Sequence, residues 1–197
     1  MGDGQVAVLV AVTQVLDRLG IAYAIVGSLA SSVHGIPRYT RDFDLIADLR
    51  PEHVGLLVSA LESDFYIDSN AVKEAIQRRA SFNVIHLESM FKVDIFARAG
   101  DPLSSAQMSR SVSQDIAGEY LKVVSAEDVV VSKLRWFRDG GEVSERQWRD
   151  VLEVIAVQAE RLDMAYMCEM ALELRVADLL DKALAEAATD PQSSASS

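Results

Sequence analysis

No other stretch constrains the fold of this chain as much as Ala24 to Ile46. Ala24-Ile25-Val26 is apolar and reads as the end of a buried strand, and Gly27-Ser28 breaks it. A short helical segment follows, ended by Gly35 and Pro37. Past Arg38 and Thr40 comes a second strand, Asp42-Phe43-Asp44-Leu45-Ile46. Strand side chains alternate between faces, so Asp42 and Asp44 project to one side and Phe43 and Leu45 to the other. Two carboxylates held side by side repel each other unless a cation sits between them. The alternative is two solvated acids on an exposed sheet face.

The flanking residues suggest what that cation would serve. Glycine at position 27 lets a backbone approach a ligand closely. A helix opening at Ser28 would aim free N–H groups and a hydroxyl at a phosphate; the plainer reading is a strand-to-helix turn with Ser28 as its cap. Arg38 and Thr40 share parity with Asp42 if the strand extends back to them. An arginine fork suits phosphate, and charge balance for the nearby acids explains it equally well. Arg41 lies off that parity, and His34 reads as a helix-end residue. A later strand, Phe91-Lys92-Val93-Asp94-Ile95-Phe96, places Asp94 on one face with Lys92 and Phe96, where its plainer reading is a surface partner for Lys92.

Hydrophobic-Gly27-Ser28, thirteen residues, then Asp42-Phe43-Asp44-Leu45 resembles the signature of the DNA polymerase β-like nucleotidyltransferase superfamily. The form Arg38-x-Thr40-x-Asp42-x-Asp44-Leu45 looks like the AbiEii-type branch, which includes toxins of toxin–antitoxin systems. The resemblance implies an α/β (α+β) nucleotidyltransferase fold: a small mixed sheet flanked by helices, then a C-terminal helical bundle. It implies an NTP substrate and Mg²⁺, two ions, on Asp42, Asp44 and Asp94, with Asp94 as ligand or as base toward the acceptor hydroxyl. Gly27, Ser28, Arg38 and Thr40 would contact the nucleotide. In the second half, Glu127 to Trp136 and Ser144-x-x-Gln147-Trp148-x-Asp150-Val151 resemble the segments in which a helix Lys and a following Asp complete the site. Lys133 would meet the triphosphate and Asp150 would orient it; the alternative for Lys133 is a solvated helix face. The acceptor is left open between a tRNA end, a protein and a small molecule, and a cognate antitoxin is an implied partner. Two rivals share the core pattern: an inactive nucleotide- or protein-binding component of such a system, and a small-molecule adenylyltransferase of the antibiotic-modifying kind.

Taken in order, the pattern predicts a helix over 4–19, strands over 21–26 and 42–47, and a helix over 53–61. A short edge strand at 65–67 and a helix over 70–79 come next. A hairpin over 81–96 turns at Glu88-Ser89-Met90, and a helix opens at Asp101-Pro102. Weaker strands follow at 112–116 and 120–124. From Ser125 the pattern is helical, with Ser125 as a cap and Ser144 to Gln147 as a capping box. Trp136 and Trp148 read as helix-packing residues. The expected division is 1–124 as the core, 125–189 as the helical domain and 190–197 as a disordered tail.

The formal charge is -11 and the pI about 4.7. That opposes an extended DNA-binding surface, which needs uncompensated Lys and Arg. No run reaches the roughly 20 apolar residues of a membrane span. The single cysteine, Cys168, sits in a helical pattern and reads as a buried thiol of a reducing compartment. The expected location is the cytoplasm.

Overall fold

The computed structural model describes residues 3–38, 40 and 42–189. Arg41 and the 190–197 tail lie outside the described residues. These form nine α helices and one seven-stranded sheet. The strands are β1 (Tyr23–Val26), β2 (Asp42–Ala47), β3 (Phe65–Tyr66), β4 (Ser81–His86), β5 (Lys92–Ala97), β6 (Val112–Ile116) and β7 (Glu119–Val123). The helices are α1 (Asp3–Arg18), α2 (Gly27–His34), α3 (His53–Leu61), α4 (Ser69–Arg78), α5 (Pro102–Ser109), α6 (Ala126–Asp139), α7 (Glu145–Gln158), α8 (Met164–Glu173) and α9 (Ala177–Thr189). This is the mixed α/β architecture expected, with a helical second half.

Two compact units emerge. One holds the chain up to Leu29 together with Arg38–Val124; the other holds Ala30–Pro37 and the chain from Ser125. The segment 30–37 thus belongs with the helical unit, although it lies far upstream in sequence. Gln158 Nε2 donates to the His34 carbonyl at 2.6 Å. Gly35 lies against Val154, where a Cβ would come within 3.2 Å of Val154 Cγ2.

In the first unit the sheet order is β3-β4-β5-β2-β1-β7-β6. The pairs β2–β5 and β1–β7 are parallel and the others antiparallel. Register explains where the core sits. Ile25, Leu45, Ile95 and Phe82 form one row across four strands, and Phe43, Val93 and Val84 form another. Each of these residues is at most 3% exposed. The intervening rows face the other way and carry the polar residues, as strand alternation requires. Ile95→Val removes one methylene from this row and leaves the polar rows untouched. The expected cost is about 0.5–1.5 kcal/mol, read from the urea midpoint.

Several details differ from the sequence reading. Cys168 is exposed, not buried. The inner stripe of α8 is Met167, Met170 and Ala171, and position 168 lies about 100° round the helix from Met167. Trp136 is likewise 59% exposed, because α6 turns Val130, Lys133, Leu134 and Phe137 inward instead. Trp148 does pack, with its ring 5.2 Å from Phe137 and its Nε1 donating to Glu186. Ser125 caps α6 as expected, accepting from the Asp128 N–H at 3.2 Å. At Ser144 only half of the capping box closes. Its Oγ accepts from Gln147 N–H at 3.4 Å, while Gln147 Oε1 has no partner. No helix among the described residues is long and apolar enough to cross a membrane.

Candidate active site

Asp44 and Asp94 are register partners in the parallel β2–β5 ladder, and Asp42 pairs in the same way with Lys92. Neighbouring strands lie about 4.8 Å apart, so the two aspartates start side by side. All four residues have the parity opposite to the buried Phe43, Leu45, Val93 and Ile95, so three carboxylates and one ammonium share a sheet face. The sequence placed Asp94 on a strand; the adjacency to Asp44 comes from the fold.

β1 brings in the glycine. Val26 is the cross-strand partner of Asp44, and Gly27 follows it at φ +65°. A Cβ at position 27 would fall 2.1 Å from Asp44 Oδ2 and 2.9 Å from its Cγ. The Gly27 backbone therefore lies directly against the Asp44 carboxylate, and no larger residue fits. α2 opens at this point, with Ser28 its second residue.

The loop before β2 is anchored from within the same unit. Thr40 is 4% exposed. Its hydroxyl donates to the Asp42 carbonyl at 3.0 Å, and its own carbonyl accepts from Gln5 Nε2 at 3.5 Å. In the structure Thr40 fixes the entry to β2. Arg38 is half-buried at the start of this loop.

Lys92 Nζ lies 2.7 Å from Asp94 Oδ2. That hydrogen bond raises the lysine pKa above its ordinary value against a smaller opposing effect of burial, and the charges of Asp94, Asp42 and Asp44 add to the rise. The ammonium thus carries full charge at neutral pH. Asp94 Oδ1 is buried and has no hydrogen-bond partner.

The helical unit has its own charged centre. Lys133 Nζ on α6 donates to Asp150 Oδ2 on α7 at 2.6 Å, and the side chains are 8% and 2% exposed. A solvated lysine face is therefore excluded. Sequence reading missed Asp128, which is fully buried and accepts from the Tyr166 hydroxyl and from Ser125 Oγ. Its position three residues after the capping serine was the visible signal; the bond from Tyr166, on α8, spans 38 residues.

No protein-family model matches the chain, and no curated protein matches it. Solved structures do. ANT(2'')-Ia in complex with adenylyl-2''-tobramycin is 14% identical, with a TM-score of 0.59 over 87% of this chain and 97% of that one. An antigenic nucleotidyltransferase-like protein from Paracoccidioides brasiliensis is 18% identical, with a TM-score of 0.57 over 93% and 94%. The lincomycin-bound lincosamide antibiotic adenylyltransferase LnuA is 13% identical, with a TM-score of 0.53 over 80% and 98%.

The fold is the nucleotidyltransferase fold. Within it, the aspartate cluster suits a hard divalent cation in kind, since carboxylate oxygens are the donors Mg²⁺ takes. The unanswered Asp94 Oδ1 is a free acceptor of that type. The cluster is not a closed cage: among the described residues no three His, Cys, Asp or Glu side chains are gathered tightly enough to hold a metal as placed. Asp94 already gives one oxygen to Lys92.

Proposed function

We propose that this chain is a Mg²⁺-dependent nucleotidyltransferase that moves NMP from an NTP to an acceptor hydroxyl. The observation that carries the reading is the register of Asp44 with Asp94, on the face that also holds Asp42, directly behind Gly27. Asp42, Asp44 and Asp94 would hold two divalent ions, which neutralise charge on the phosphoryl oxygens. Ser28 and the start of α2 would donate to phosphate oxygens, and Arg38 would add a charged fork. The acceptor oxygen attacks the α-phosphorus in line. The new O–P bond forms as the bond to pyrophosphate breaks, and where Asp94 serves as the base rather than as a ligand its carboxylate takes the hydroxyl proton. Thr40 keeps β2 in place. The resemblance assigns Lys133 to the triphosphate and Asp150 to orienting that lysine; the ion pair between them supports the second role.

A small acceptor is the reading favoured here. Two of the three named structures hold adenylyl-2''-tobramycin and lincomycin, and this chain spans 97% and 98% of their lengths. The charge of -11 points the same way, against a long nucleic acid. The toxin reading, with its antitoxin partner and a tRNA or protein acceptor in the cytoplasm, rests on the Arg38-x-Thr40-x-Asp42-x-Asp44-Leu45 resemblance.

The test is transfer from α-labelled NTPs, with and without Mg²⁺, to aminoglycosides, lincosamides, tRNA and protein. Label should move only with Mg²⁺ and to one acceptor class. Absence of Mg²⁺-dependent NTP binding by the purified chain sinks the proposal.

A further inference from the structure

The sheet face that carries the three aspartates carries a cation on the same two strands. Lys92 is the register partner of Asp42, and its Nζ sits on Asp94 Oδ2 at 2.7 Å. Asp94 Oδ1 stays buried and unpartnered. The lysine thus takes one oxygen of Asp94 and leaves the other. An ordinary surface ion pair would face one acid and contribute little; this ammonium shares its sheet face with three.

We propose that Lys92 is a positioning residue and the resident counter-cation of Asp94: it holds that carboxylate by Oδ2 and competes for it with a divalent ion. This rests on the metal-dependent reading above. Free metal then binds weakly because it must displace or share with the ammonium. Removing a unit charge about 5 Å from a divalent cation strengthens its binding by about tenfold or more, even with water-like screening.

The experiment titrates Mn²⁺ calorimetrically into the nucleotide-free full chain as wild type, Lys92→Met, Lys92→Arg and Asp44→Asn. Each is also melted in EDTA and in Mn²⁺. Lys92→Met should bind Mn²⁺ about tenfold tighter than wild type, melt lower in EDTA, and recover in Mn²⁺. Lys92→Arg should restore the wild-type affinity. A merely structural lysine would lower melting equally in both buffers with no gain in affinity, and that result overturns the inference. Lys92→Gln gives the same readings if the methionine variant precipitates. Mn²⁺ binding that Asp44→Asn abolishes but Lys92→Met leaves unchanged overturns the role of Lys92 alone. No Mn²⁺ binding by any form overturns the metal-dependent reading with it.

Discussion

Replacing Gly27 with alanine should cost as much nucleotide transfer as replacing Asp44 with asparagine, about 10²–10³-fold in each case. The added methyl has nowhere to go. Its carbon would lie 2.1 Å from Asp44 Oδ2 and 3.0 Å from Asp44 Cβ. Val26 is pinned opposite Asp44 in the β1–β2 ladder, so the backbones cannot part without breaking that pair. The carboxylate must swing away, and a displacement of about 1 Å is enough to cost two orders of magnitude in a positioned site. Alanine at φ +65° adds strain of about 1–2 kcal/mol, small enough for the protein to stay folded. Melting should therefore fall modestly while Mg²⁺-dependent binding and transfer collapse. Because both changes act on one carboxylate, Gly27→Ala with Asp44→Asn should be little worse than either alone. Full activity in Gly27→Ala, or losses that multiply in the double variant, would show that Asp44 does not act from its observed position.

This result would also assign the glycine a reason that sequence could not supply. From sequence, Gly27 read as a place where backbone approaches a ligand. In the structure the close neighbour is a carboxylate of the chain itself. What was legible was local. Alternation in Asp42-Phe43-Asp44-Leu45 placed the acids and the core on opposite faces, and β2 and α3 fall at the expected residues. The β4–β5 hairpin was equally plain, since its strands and turn are contiguous. Strand order was not legible, because the β2–β5 pairing joins segments about fifty residues apart and nothing in either strand names its neighbour. Thr40 shows the same limit. Parity put it beside Asp42, but its bond to the Asp42 carbonyl and its tie to α1 through Gln5 depend on tertiary placement. Trp136 and Cys168 went astray for a helical reason. Each sits one position from a buried residue, Phe137 and Met167, and one position on a helix turns a side chain through about 100°.

The Lys133–Asp150 pair separates stability from function most cleanly. Either Lys133→Met or Asp150→Leu leaves a charge in a nearly water-free setting without its 2.6 Å partner, and the expected loss is about 3–5 kcal/mol. The double variant removes both charges and fills the space with apolar groups, which is often neutral for a buried pair. It should recover to within about 1 kcal/mol of wild type, read by urea denaturation followed through the helical circular-dichroism signal. Phe137 and Val154, each four positions on from Lys133 and Asp150 and so on the same helix faces, are buried apolar residues. If the pair only holds α6 to α7, nucleotide transfer returns along with stability. If Lys133 serves the triphosphate, the double variant is stable and inactive, and that is the expected outcome. A stable, fully active double variant would confine the pair to packing and remove Lys133 and Asp150 from the catalytic set, leaving the reaction to the aspartates of the sheet.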